Sequence, residues 1–175
     1  MCWKAALAKF AVTTFILAVV AVPRASAAPP DDACALLTAA QVGAVVGIPF
    51  GEGTHVTPTY VKTCTWTATR AATNGSKYTV TISYQAAQGF AGAKQMMQQT
   101  QAMEEAQHGK AAGQLVNSSA SGIGDDAFYS SMGRYTALLV KKGNVSFKLA
   151  IYGDLAPDKA KDMEKSLALQ ALSKI

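Results

Sequence analysis

The sequence predicts an α+β fold: an antiparallel β-sheet covered by about three helices, in the order helix, strands, helix, strands, helix, with one disulfide. Three observations carry that expectation. Residues 63–69, 77–85 and 135–152 alternate side-chain character with a period of two, the mark of half-buried strands. Residues 89–107 and 155–175 repeat apolar positions at spacings of three and four, the mark of amphipathic helices. The strand runs are joined by short turns or by these helices, which suits helices packed on an antiparallel sheet.

The chain opens with Lys4 and Lys9, an apolar run from Ala11 to Val22, and Pro23-Arg-Ala-Ser-Ala27. A basic start, a short apolar run and small residues before a cleavage point describe a secretory signal peptide over residues 1–27. The apolar run is shorter than the roughly 20 residues needed to span a bilayer, so no stable membrane anchor is predicted. Residues 28–175 are then expected to form a single α+β domain, secreted or periplasmic. Of 16 basic and 11 acidic residues in the chain, Lys4, Lys9 and Arg24 leave with the signal, which reduces the net charge from +5 to +2. That near-balance gives no reason to expect a nucleic-acid partner.

Three cysteines occur, and Cys2 lies in the predicted signal. Cys34 and Cys64 remain as an even pair in an oxidising compartment, so they are expected to form a structural disulfide. Neither has a second cysteine at Cys-x-x-Cys spacing nor a histidine close in sequence, the patterns that redox and zinc sites use.

The first helix begins at a capping box, Thr38 with Gln41, preceded by Leu37 placed to staple against Val42. Gly47 ends it and Ile48-Pro49 prevents its resumption. Residues 48–62, rich in Gly, Thr and Pro, read as a loop or edge strand. Cys64, Trp66 and Ala68 then alternate with threonines, Asn74-Gly75 marks a turn, and Tyr78, Val80, Ile82 and Tyr84 form the apolar face of a second strand. The pair reads as an antiparallel hairpin.

In the second helix Ala93, Met96, Met97, Thr100, Met103 and Ala106 define the expected buried stripe. Methionines at such spacing fill core gaps, and Met96, Met97 and Met103 are also the candidates to line an apolar ligand groove. Met97, Met103 and His108 carry soft and imidazole donors of the kind copper prefers, but no denser cluster accompanies them, and neither metal nor cofactor is expected. Gly122-Ile-Gly-Asp-Asp126 lacks the residues of a phosphate or calcium loop and reads as a turn in which Asp125 or Asp126 bonds nearby amides. Residues 135–152 form a hairpin about Lys141-Lys-Gly-Asn144, expected at the middle of the sheet. A last helix opens at Leu155-Ala-Pro157 and buries Ala160, Met163, Leu167, Ala168, Ala171, Leu172 and Ile175.

Taken together, Cys34-x-Leu-Leu-Thr38, Cys64-x-Trp66, Gly122-Ile-Gly-Asp-Asp-Ala127 and the Ala/Leu-rich closing helix resemble a group of small exported bacterial proteins and lipoproteins. Their shared domain has no assigned function. The resemblance implies export and an α+β domain, and it brings no catalytic residues; this chain lacks the lipidated cysteine of the lipoprotein members.

No Ser/His/Asp or Cys/His arrangement is evident around His55 or His108, and the acidic pairs are sequence neighbours whose side chains diverge. An exported, non-enzymatic binding or protein-interaction module is therefore expected, with an exported protein or a cell-envelope component as partner. Its contact aromatics would be Tyr60, Tyr129 and Tyr135. The alternatives are a carrier of a small apolar ligand or metal, and an inhibitor of an exported enzyme.

Overall fold

A computed structural model describes residues 31–109 and 115–175. The proposed signal peptide lies outside the described residues. No described helix is long and apolar enough to cross a membrane.

Seven strands form one antiparallel sheet: β1 (Thr54–His55), β2 (Thr63–Thr67), β3 (Thr79–Ala86), β4 (Leu115–Ser119), β5 (Asp126–Met132), β6 (Tyr135–Lys142) and β7 (Val145–Tyr152). Their order across the sheet is β1-β2-β3-β7-β6-β5-β4. Helix α1 (Ala39–Val46) and helix α3 (Pro157–Leu172) lie on one face, and α2 (Ala87–His108) crosses the other on its way from β3 to β4. The expected order of helices and strands is thus observed, and the 135–152 hairpin sits at the centre of the sheet through β7.

Local chemistry explains the elements. Thr38 Oγ1 accepts from Gln41 N at 3.2 Å, and Gln41 Oε1 accepts from Thr38 N at 2.9 Å, completing the capping box that starts α1. Leu37 and Val42 are both buried, as a staple requires. Gly47 closes the helix at φ +85°, a conformation that costs glycine little and other residues more. Asp125 Oδ2 accepts from Gly143 N at 2.6 Å, so the Gly-Ile-Gly-Asp turn fastens the β6–β7 turn. That amide hydrogen bond holds the Asp125 carboxyl below its usual range, aided by Lys142, against a partial desolvation.

The main core lies between the sheet and the α1/α3 layer. Trp66, Val80, Ile82, Leu138, Val140, Phe147 and Leu149 meet Val42, Leu167, Ala168 and Ala171 there. The Cys34–Cys64 disulfide joins a short 3-10 turn (Ala33–Ala35) to β2, with Cα atoms 5.0 Å apart. Packing is tight around it: a Cβ on Gly53 would come 2.6 Å from Cys64 Sγ and 2.7 Å from Trp66 Nε1. Burial in β6 departs from simple alternation, because Thr136 to Val140 are all buried. Helix α2 covers one side of that strand and α3 the other, so both faces become interior.

Helix α2 corrects the expected stripe. Met96 and Met103 are 61% and 62% exposed, and of the three methionines only Met97 packs inward, with Phe90, Ala93, Phe128 and Leu139. The three therefore do not line a common groove. The inward face continues from Met97 through Gln101 and Glu104, neither of them in the expected stripe. These two side chains act on the sheet edge: Asn117 N donates to Gln101 Oε1 at 3.0 Å and Leu115 N to Glu104 Oε2 at 2.9 Å. An edge strand presents unpaired amides, and the helix presents acceptors to them, so polar residues win that face.

Candidate functional site

Of the three tyrosines expected at a contact surface, one is freely presented. Tyr60 is 54% exposed, whereas Tyr129 is 9% exposed and lies under α3, donating its hydroxyl to Lys161 O at 3.0 Å. Burial, with the Glu164 and Asp162 carboxyls nearby, pushes the Tyr129 phenol up to about 12. Tyr135 is half-buried and packs against Tyr152, ring centroids 5.5 Å apart. Burial and then Tyr152 raise its phenol well above the usual value. Both were expected at the surface because the sequence does not reveal that the sheet end under α3 is covered.

Tyr60 belongs to an open cleft of about 690 Å³ at one end of the sheet, with Lys62, Tyr84, Gln85, Asn144 and Val145. The backbone assembles it. Tyr84 N donates to Lys62 O at 2.7 Å, which extends the β2–β3 pairing by one step and puts both side chains on one face. Ala86 pairs with Val145, which brings the β6–β7 turn and Asn144 alongside. A turn, closed by Tyr60 N donating to Thr57 O at 3.0 Å, swings Tyr60 to the rim.

The floor of the cleft is the buried Tyr84 side chain. Lys62 Nζ lies 5.3 Å from that ring's centroid and donates to Asp31 Oδ1 at 3.3 Å and to Asp31 O at 3.1 Å. Burial, and secondarily the Asp31 charge, raises the Tyr84 phenol above its ordinary value, so it stays a neutral hydroxyl at physiological pH. The arrangement offers aromatic faces and one ammonium. That chemistry holds and orients a group.

His55 also acquires a partner that the sequence did not indicate. Its Nε2 lies 2.8 Å from Asp32 Oδ1, an oxygen that also accepts from Cys34 N at 2.7 Å. The His55 hydrogen bond chiefly, with the Cys34 amide, holds the Asp32 carboxyl below its ordinary value. Asp32, Cys34 and His55 are grouped as metal ligands would be, yet Cys34 Sγ is committed to the disulfide and supplies no thiolate. The pair anchors the chain entering the 3-10 turn to β1. Of the proposed soft-metal donors, Met103 faces solvent, while the His108 side chain lies outside the described residues.

One residue with unusual chemistry escaped the sequence reading. Glu164 of α3 is fully buried, and burial lifts its carboxyl to about 7. Its signal was present: Glu164 stands four residues from both Ala160 and Ala168, on the apolar arc itself.

No family model, curated protein or solved structure matches this chain.

Proposed function

We propose that this protein is an exported, non-enzymatic protein-interaction module whose contact centre is the Tyr60–Lys62–Tyr84 cleft. The presence of Tyr60 at the open rim above a buried tyrosine floor carries the reading. Tyrosines beside a long cationic side chain concentrate binding energy at protein interfaces, where the ring buries much area while losing little side-chain freedom. The cleft's openness favours a side chain projecting from a partner protein over a small molecule, since small-ligand sites enclose most of their ligand. The disulfide supports export, because such bridges persist in oxidising compartments. The kinship with small exported bacterial proteins is part of the same proposal. It rests on motifs that here cap a helix, form a disulfide and build a turn.

The test is site-directed photo-crosslinking in the exported fraction of the native host. A crosslinker at position 60 is compared with one at Leu169, an exposed residue on α3. A discrete protein adduct at 60 but not at 169, reduced at least tenfold by Lys62→Ala in the same chain, is expected. Equal labelling at both positions would refute the assignment. A small molecule retained by the native protein in mass spectrometry would replace it with the carrier reading.

A further inference from the structure

Helix α3 closes the main core, and Glu164 is the only charged residue fully buried among the described residues. Its surroundings differ at its two oxygens. Oε1 accepts from Thr136 Oγ1 at 3.0 Å and from Ile151 N at 3.3 Å, one donor from β6 and one from β7. Oε2 is buried and meets no hydrogen-bond partner among the described residues.

The Ile151 contact lies at the end of the β6–β7 ladder. Paired register between β6 and β7 runs from Lys142↔Val145 to Ala137↔Ala150 and stops there, one step short of Thr136 and Ile151. At that step the α3 carboxyl accepts from a side chain of β6 and from the backbone of β7. The helix is thereby bonded into the sheet by a side chain whose charge is variable.

The groups facing Glu164 do not compensate a negative charge. Lys161, one turn earlier on α3, lowers the cost of ionisation without contacting the carboxylate. From β5 comes the Tyr129 phenol and from β6 the Tyr135 phenol, itself against the Tyr152 ring of β7; burial raises both the Tyr129 and Tyr135 phenols, so neither carries charge near pH 7. Helix α1, which packs on α3, contributes no ionisable side chain. A neutral acid can keep both hydrogen bonds through its carbonyl oxygen while the proton sits on Oε2. A carboxylate would instead leave a buried, partly charged oxygen with no donor, which is costly.

We propose that Glu164 makes α3 a proton-controlled latch, closed on the sheet while the carboxyl is protonated and loosened when it ionises. This stands apart from the cleft proposal, at the opposite end of β7. The sign follows from linkage. The carboxyl titrates near 7 in the folded chain and near 4.5 when unfolded, so between those values the folded state binds the extra proton and stability falls as pH rises. Over that interval, about 2.5 pH units, the folding equilibrium constant loses up to about 300-fold from this group.

The experiment compares urea unfolding of the wild-type chain and Glu164→Gln from pH 4.5 to 8, with amide hydrogen exchange on the wild type at pH 5.5 and 8, corrected for intrinsic rates. Other groups contribute equally to both proteins, so the ratio of their folding constants is the readout. The expected result is a ratio that changes at least thirtyfold across the interval, with protection lost first in α3 while the β5–β6 amides remain protected. A ratio constant within threefold overturns the proposal, as does protection lost uniformly across helix and sheet. Should Glu164→Gln fail to fold, the wild-type Glu164 carboxyl carbon is titrated by NMR: a midpoint above 6 supports the latch, and one below 5 overturns it.

Discussion

Breaking the Cys34–Cys64 bridge gives the most quantitative check on how the fold is held. The bond closes a loop with a sequence separation of 30. The chain-entropy relation assigns such a loop about 12 cal/mol/K of lost unfolded-state entropy, or about 3.6 kcal/mol at 25 °C. For a domain of this size that corresponds to roughly a 10 °C fall in Tm. Urea unfolding of oxidised and dithiothreitol-reduced protein, followed by Trp66 fluorescence in the chain lacking residues 1–27, measures the difference. Trp66 is then the sole tryptophan, and it is buried beside the bridge. Reduction is preferred to Cys→Ala because it leaves both sulfurs in place, and Cys64 is fully buried. A loss of 3–4 kcal/mol is the expected outcome by that relation. A difference below about 1 kcal/mol would show that the 3-10 turn, the Asp32 contacts and β2 hold together without the crosslink, and would refute the entropic argument.

Two further substitutions test the packing. Gly53→Ala forces a methyl against Cys64 Sγ and Trp66 Nε1, and an overpacked core of this kind costs about 1–3 kcal/mol, visible as a lower urea midpoint with unchanged m-value. Replacing Gln101 and Glu104 together by alanine removes the acceptors for the Asn117 and Leu115 amides of β4. With its edge uncovered the protein is expected to self-associate, as read by light scattering against concentration, while Met96→Ala and Met103→Ala on the exposed side leave it unchanged.

Elements governed by near neighbours were legible in the sequence. The capping box at Thr38, the Gly47 stop, the alternation of Tyr78, Val80, Ile82 and Tyr84, and the proline opening of α3 depend on residues within a turn or two of each other. The disulfide was legible for a different reason, since only two cysteines remained once Cys2 was assigned to the signal. Sequence also marked Tyr60 as an available aromatic, yet Lys62 and Tyr84 joined it only through strand register.

What tertiary structure decided was the partner of each face. A helical stripe can be counted from residue spacing, but α2 turns Gln101 and Glu104 inward because β4 offers unpaired amides there, and those amides come from another part of the chain. Tyr129 and Tyr135 became interior or half-buried because α3 and Tyr152 close over them. Glu164 could be placed on the apolar arc by counting, but only the end of the β6–β7 ladder brings the Thr136 hydroxyl and the Ile151 amide to its carboxyl. Period and capping are local properties of the chain and are fixed by it alone. Which polar group is left without a partner, and therefore which buried side chain must satisfy it, depends on strands brought together from distant segments.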